Sequence, residues 1–293
     1  MFNYFERVKS RPEIYNQLTC RELLFVHYKC PMEVNKQDSW SQHNFIQYIL
    51  SGKKAFHTPG HSWLMRSGDA FFVKKGACIV EKFFEEPLCI MTFFLPDSYL
   101  QTFMQENNTL SHARWTEPPK NELLIPLQVT SIMTAFFDSL IPYFYSDTKP
   151  SENLLELKFR ELLLNILDNP ENGELKNYLT HLLSPQYESF QQVMEANCLY
   201  NLSLQDYAKL LNLSLSSFKR HFILLYKITP GHWLQEHKLN HAYHLLISTD
   251  KPVNDISFES GFENSTHFSH LFKKRFGLSP LKYRKENEVS RPS

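Results

Sequence analysis

The chain is poor in the residues that several function classes require. Its 293 residues include 8 glycines, and none sits at the spacing that cradles a nucleotide phosphate. No nucleophile elbow and no paired-carboxylate constellation can be found either. Cysteine is scarce: Cys20, Cys30, Cys78, Cys89 and Cys198 form an odd set without a Cys-x-x-Cys pair. That usage suits a reducing cytoplasm and argues against a disulfide framework or a thiolate zinc site. The opening MFNYFERVKS has no apolar signal core, and no apolar run approaches the roughly 20 residues that span a bilayer. The expectation is a cytoplasmic protein with no membrane partner. Net charge is also absent, at +0, but it is unevenly divided. From Tyr187 onward 13 Lys and Arg face 10 Asp and Glu, whereas the remainder holds 18 and 21. The polarity suits a nucleic-acid-binding C-terminal part, though a difference this small decides nothing alone.

What the chain does have is a repeat near its C-terminus. Phe218, Phe222, Tyr226, Pro230 and Trp233 recur as Phe268, Phe272, Phe276, Pro280 and Tyr283, each at an interval of 50 residues. Upstream, Asp206, Ala208 and Asn212 match Asp255, Ser257 and Gly261 at 49, so the second copy carries one extra residue in its turn. Internal repetition of this kind takes precedence over other patterns.

Each copy reads as helix, tight turn, helix. Ser203 caps a first helix with Leu204, Tyr207, Ala208 and Leu211 on one face, and Asp206 completes a capping pair. Asn212 ends that helix. Ser214 caps a second, whose inner side is expected to hold Leu215, Phe218, Phe222 and Leu225. In copy two Val253, Ile256 and Ser260 point inward, Gly261 is the stop, and Asn264 caps the next helix. The outer faces carry Ser216, Ser217, Lys219 and Arg220 in copy one. Those of copy two carry Ser265, Thr266, Ser269, His270, Lys273 and Lys274. Hydroxyls, amides and cations on the second helix of such a pair are what bond base edges and neutralise phosphates. A small helical bundle with solvated charged faces is the plainer reading of one pair; two pairs at one period favour DNA. With the caps Ser214 and Asn264, these twelve residues are the candidate DNA-binding set.

Residues from about Tyr187 to Lys285 resemble the paired helix-turn-helix domain of the AraC/XylS family of bacterial transcription regulators. The resemblance rests on Lys238-Leu239, Ile256-Ser257, Glu259-Ser260-Gly261-Phe262, Phe268, Phe272-Lys273-Lys274, Phe276-Gly277, Ser279-Pro280 and Tyr283-Arg284. It implies two reading helices held by a long central helix, here Thr229-Pro230 to Lys251-Pro252. It places the first reader on Ser216, Lys219 and Arg220 and the second on Ser265, Thr266 and His270. RNA polymerase is then an implied partner, and homodimerisation an implied assembly. Two departures stand out. Ile228 occupies a position where the family often has Gly, and His270 stands where an Arg would be expected, which would make the second reader weaker or pH-sensitive.

The first part reads as strands: Leu23–Tyr28, Phe45–Leu50, Ala55–His57, Ala70–Val73, Cys78–Phe84 and Leu88–Phe94, with turns at Ser51-Gly52, Gly68-Asp69 and Gly76. Short β-branched and aromatic runs at this spacing indicate a barrel or jelly roll. Ser67 to Val73 resembles the turn of cupin-like sensor domains in the same family, and the stretch to Phe103 is closer to the branch that activates type III secretion genes under the control of partner proteins. A cupin-type enzyme is the competing reading. It would need clustered metal ligands, and only His43, His57 and His61 are at hand, with no carboxylate beside the last two and Ala77 after Gly76. No metal, cofactor or catalytic residue is therefore assigned. Between the two parts, Pro118-Pro119 breaks the chain, and apolar helical segments run Val129–Tyr145 and from Pro150 to Leu167. In the family, helices here pair two subunits; packing on the barrel is the alternative.

The expected architecture is α+β. Residues 1–117 form a cupin-like β sensor domain, 118–184 a helical linker and dimerisation segment, 185–287 the double helix-turn-helix domain, and 288–293 a disordered tail. The expected function is a sequence-specific DNA-binding transcription activator, gated by a small-molecule effector or a regulatory protein at its N-terminal domain. The alternative is a cupin-type binding or metal-dependent enzyme domain whose helical tail does not bind DNA.

Overall fold

The computed structural model describes residues 1–30, 35–83, 85–107, 119–120, 122–183 and 190–288. The expected break at Pro118, the inter-domain boundary at 184–185 and most of the expected tail lie outside them. The chain divides into two compact units, Met1–Ser189 and Phe190–Ser293: a β-rich N-terminal unit and an all-helical C-terminal one.

The first unit begins with strand β1 (Phe2–Asn3) and helix α1 (Tyr4–Lys9). Strands β2 (Asn16–Cys20), β3 (Leu23–Lys29), β4 (Lys36–Ser41), β5 (Asn44–Ser51), β6 (Lys53–His57) and β7 (Ser62–Arg66) follow. Then come β8 (Ala70–Val73), β9 (Gly76–Phe83), β10 (Cys89–Leu95), helix α2 (Asp97–Glu106) and strand β11 (Leu124–Leu127). Helices α3 (Ser131–Tyr145), α4 (Glu152–Leu167) and α5 (Gly173–His181) complete it. One sheet has the order β11-β8-β5-β10-β3-β2, the other β1-β4-β9-β6-β7. At the centre of the six-stranded sheet Phe93 of β10 lies opposite Phe25 of β3 and Ile46 of β5.

Side chains alternate across a strand, and here both faces are covered. Leu24, Val26, Ile49, Ile90 and Phe94 meet Phe56, Met65 and Val80 of the second sheet in one core. Their neighbours Phe25, Ile46, Phe72, Met91 and Phe93 meet Phe137, Phe159 and Tyr178 of the helices in another. Two-sided burial explains why these strands read as unbroken apolar runs. Each fully buried aliphatic or Phe side chain contributes about 1.5–3 kcal/mol.

The structure corrects the expectation of a separate helical linker at residues 118–184. Leu124–Leu127 is a strand, paired antiparallel with β8, and α3 to α5 supply about half of the larger core. The physical reason is that an apolar sheet face needs a cover, and these amphipathic helices provide it. Strands β2, β4 and β7 were not anticipated either; β4 (KQDSWS) is polar enough to read as loop. All five cysteines are buried thiols outside any disulfide.

A buried ion pair fastens the helices to the sheets. Lys75 Nζ lies 2.7 Å from Asp97 Oδ2, with side chains 7% and 16% exposed. Asn44 Nδ2 donates to Asp97 Oδ1 at 2.6 Å, and Tyr178 OH on α5 donates to Asn44 Oδ1 at 3.0 Å. Removing one partner of a buried pair strands the other charge. Asp97→Ala is therefore expected to destabilise the full chain by about 3 kcal/mol, read by urea denaturation; an unchanged midpoint would mean that water replaces the carboxylate.

The second unit comprises α6 (Phe190–Asn197), α7 (Leu204–Leu210), α8 (Leu215–Tyr226), α9 (Pro230–Ser248), α10 (Val253–Glu259), α11 (Ser265–Phe276) and α12 (Pro280–Glu288). The 50-residue repeat is a repeat of ring geometry. Phe222 lies 4.5 Å from Tyr226 and 5.9 Å from Trp233, at 32° and 80°. Phe272 lies 4.5 Å from Phe276 and 5.7 Å from Tyr283, at 43° and 79°. Tilted and edge-on contacts at these distances are the favoured aromatic arrangements. The long helix α9 starts at Thr229, whose side chain accepts from His232 N, with Pro230 in the first turn. It carries Trp233 toward the first copy and Leu239, Ala242 and Leu246 into the core of the second.

Candidate nucleic-acid interface

Local chemistry fixes where each candidate helix begins and ends. In α7 the capping box forms: Asp206 N donates to Ser203 Oγ at 3.2 Å and Ser203 N donates to Asp206 Oδ2 at 3.0 Å. Helix α8 is capped by Ser214, whose Oγ accepts from Ser217 N at 3.2 Å. Helix α11 is capped by Asn264, whose Oδ1 accepts from Thr266 N at 2.8 Å and His267 N at 3.0 Å. The turns before them need left-handed residues, supplied by Asn212 (φ 54°) and Gly261 (φ 79°).

The left-handed region recurs at the far ends, at Lys227 (φ 59°) and Gly277 (φ 84°). The departure expected at Ile228 thus falls one residue earlier: the residue in the glycine conformation is Lys227, at the repeat interval from Gly277. A second correction concerns α8. Leu215 and Leu225, expected inside, are 37% and 53% exposed. Their counterparts at the repeat interval are Ser265 and Arg275, both unsuited to a core, so the second copy held the right answer.

With Phe218 and Phe222 buried, helical periodicity turns Ser216, Arg220, Ile223 and Leu224 outward, with Lys219 beside them. On α11 the same rule turns Thr266, His270, Lys273 and Lys274 outward, all exposed. Ser265 and Ser269 are half-buried at the edge of that face, and Ser217 is half-buried beside its cap. Ser214 and Asn264 face solvent with their side chains engaged in capping. Among the described residues Lys219, Arg220, Lys273 and Lys274 join no ion pair, whereas Arg275 Nε is held by Glu236 Oε2 at 2.7 Å. Free cations on two equivalent helix faces can take phosphates. The residues missed on these faces are Ile223 and Leu224, 49% and 61% exposed. They occupy the positions of Lys273 and Lys274, so the repeat interval alone would have found them.

One junction joins the two halves. Lys238 Nζ on α9 donates to Asn201 Oδ1 and to the Gly261 carbonyl, both at 2.8 Å. A Cβ on Gly261 would overlap the Leu199 carbonyl oxygen.

The other candidate chemistry is not assembled. His57 meets Ser62 Oγ and Glu81 Oε2, both at 2.8 Å, and His61 lies 3.8 Å from Glu122. Carboxylates therefore do stand beside this pair, contrary to the sequence expectation, because β6 and β9 run side by side. Among the described residues no group of three or more His, Cys, Asp or Glu could hold a metal, and no helix is long and apolar enough to cross a membrane.

Residues 207–286 match a helix-turn-helix domain model and residues 44–178 match the ExsA N-terminal regulatory domain. The chain joins an ExsA-type N-terminal regulatory domain to an AraC-type helix-turn-helix domain. It is similar to the thermoregulatory protein LcrF of Yersinia pestis, at 26% identity over 82% of this chain and 88% of that protein. It is also similar to the regulator ExsA of Pseudomonas aeruginosa, at 24% identity over 92% of this chain and 95% of that protein. A solved structure of ToxT from Vibrio cholerae aligns over 89% of this chain and 96% of that one, at 11% identity and a TM-score of 0.43. This AraC-type regulator is a DNA-binding transcription factor.

The junction generates a test. Gly261→Ala places a methyl against backbone at a left-handed residue, and strain of this kind costs about 1–3 kcal/mol. Thermal unfolding of the full chain should shift downward accordingly, while an unshifted transition would mean that the 199–201 loop moves aside freely.

Proposed function

We propose that this regulator activates transcription by reading double-stranded DNA with α8 and α11, under the control of its N-terminal unit. The observation that carries this reading is the repeated outward face, with polar and cationic side chains in both copies, Ile223 and Leu224 adding apolar ones to the first, on helices packed against α9. In detail, Ser216, Lys219 and Arg220 read bases from the first helix. Thr266 and His270 read from the second, with Ser265 and Ser269 at its margin. Lys273 and Lys274 take phosphates, and Ser214, Ser217 and Asn264 hold the helix starts against the backbone. The activator assignment is supported by the similarity to VirF of Yersinia enterocolitica, a virulence regulon transcriptional activator. RNA polymerase is the partner that activation requires, and the cytoplasm is where it would be met. Control at the N-terminal unit comes from a regulatory protein or a small effector.

Self-association through the helices of the first unit fits their exposed apolar side chains. Ile132 on α3 and Leu157 on α4 are 66% and 60% exposed. A two-fold pair would join two DNA-binding units and strengthen binding through effective concentration.

Selection of bound duplexes from a random pool by the full chain should enrich two short blocks about one helical turn apart. A single block would make α11 a backbone anchor, and no enrichment would sink the reading for the unliganded protein. Arg220→Ala should cost about 1–3 kcal/mol at the enriched site and relax preference at one or two base pairs. Unchanged affinity and preference would remove Arg220 from the reader. Leu157→Glu should weaken self-association in sedimentation equilibrium, and an unaltered association constant would exclude α4 from the pairing surface.

A further inference from the structure

The outer faces of α8 and α11 match in position and differ in chemistry. On α11 the last turn of that face is Lys273-Lys274, and on α8 the same positions hold Ile223-Leu224, at the repeat interval of 50. The aliphatic pair is 49% and 61% exposed. A single apolar residue on a surface is ordinary. Two together, at the positions where the other copy carries free cations, call for a partner that is apolar at that point.

The helix fixes where the pair points. Phe218 and Phe222 are both 0% exposed, so the inward direction of α8 runs between them. With about 100° per residue, Arg220 lies on the line pointing directly away from the core. Ser216 and Ile223 stand about 40° and 60° to one side of that line, and Leu224 about 40° to the other. These four residues form one stripe, with the apolar pair at its C-terminal end. Lys219 sits about 100° from the line on one flank and Leu225 about 140° from it on the other. Leu225 matches Arg275, which turns aside to Glu236 on α9. Along the axis, Ile223 and Leu224 lie about 4.5 Å and 6 Å beyond Arg220.

Successive base pairs are about 3.4 Å apart. An aliphatic pair at these offsets from a base-reading arginine therefore meets base edges about one or two pairs away. Most groups on those edges are hydrogen-bond donors or acceptors, and the C5-methyl of thymine is the apolar exception. Side chains without a donor or an acceptor match the methyl and match no phosphate oxygen.

We propose that Ile223 and Leu224 are specificity-determining residues of α8, selecting thymine by its C5-methyl beside the base pair that Arg220 contacts. The proposal rests on α8 as a DNA-reading helix and names what the end of that helix recognises. It also gives the asymmetry of the repeat a consequence. Each phosphate contact makes affinity fall with salt, at a slope of about −0.9. Lys273 and Lys274 add such contacts on α11, whereas α8 replaces the equivalent two with apolar contacts that salt does not screen.

The experiment uses the full chain and the duplex selected from the random pool. The block read by α8 is the one in which Arg220→Ala relaxes a base preference, and it should contain thymine within about two base pairs of that position. Each thymine of the block is replaced singly by deoxyuridine, which removes the methyl and keeps every hydrogen-bonding group. At one or two positions affinity should fall about fourfold, the effect of one methyl group. Ile223→Ala and Leu224→Ala, their folding checked by thermal unfolding, should each weaken binding to the thymine duplex by a similar factor. Each should also be indifferent to deoxyuridine at the position its side chain contacts. With Ile223→Lys and Leu224→Lys combined, the slope of log affinity against log salt should steepen by about 1.8.

A block without thymine near that position, or wild-type binding indifferent to every methyl in it, would overturn the proposal without use of any variant at 223 or 224. Equal methyl losses in the alanine variants and the wild type would do the same. Alanine variants that bind the selected duplex at full strength, or an unchanged salt slope in the double lysine variant, would place the pair off the DNA and also overturn it. A block that depends on Arg220 but on no methyl removes this proposal alone. No enriched block, or none that responds to Arg220→Ala, removes α8 as the reader and this proposal with it.

Discussion

One close backbone approach governs the C-terminal unit. The turn inside the second helix-turn-helix presses against the Leu199 carbonyl, and only a residue without a side chain can stand at Gly261. Lys238 spans the same junction, holding Asn201 and the Gly261 carbonyl together from the central helix. Its ammonium is half-buried and its pKa lowered by desolvation, so its hydrogen bonds have little water to compete with. Because α9 carries both helix pairs and this junction fixes the turn of the second, the separation of the outer faces of α8 and α11 is a property of packed backbone. Side chains on those faces can then vary without changing the spacing they are presented at.

The C-terminal unit was legible because its information is stored twice. Five aromatic and proline positions at one interval announced a repeated core, and the ring geometry of Phe222 and Phe272 is that repetition in space. Where one copy was ambiguous the other was clear. Leu215 and Leu225 looked internal because apolar residues at helical spacing usually are, yet Ser265 and Arg275 mark both positions as outward. The left-handed turn was hidden by Lys227, a residue with no preference for that conformation, and Gly277 reveals it.

The N-terminal unit was legible only in its middle. Strands buried on both faces, such as β5 and β10, are continuous apolar runs that stand out from any background. Edge strands are not: β4 is polar, and β7 lies on the rim of its sheet. The helices α3 to α5 were visible as helices, but their partner was not, since an amphipathic face does not say whether a sheet or a second subunit covers it. Packing settled most of that face inward, against Phe25, Phe72 and Phe93.

The burial of every cysteine has a use beyond packing. A thiol reacts as the thiolate and only when reagent can reach it, and all five thiols here are shut inside. Alkylation of the native chain therefore proceeds through opening of the structure, and its rate is a record of that opening. Four of the five lie in the first unit and Cys198 lies in the second. The chain thus carries an independent clock in each unit, and mass spectrometry of alkylated peptides would time the breathing of the N-terminal and the DNA-binding unit separately in one sample.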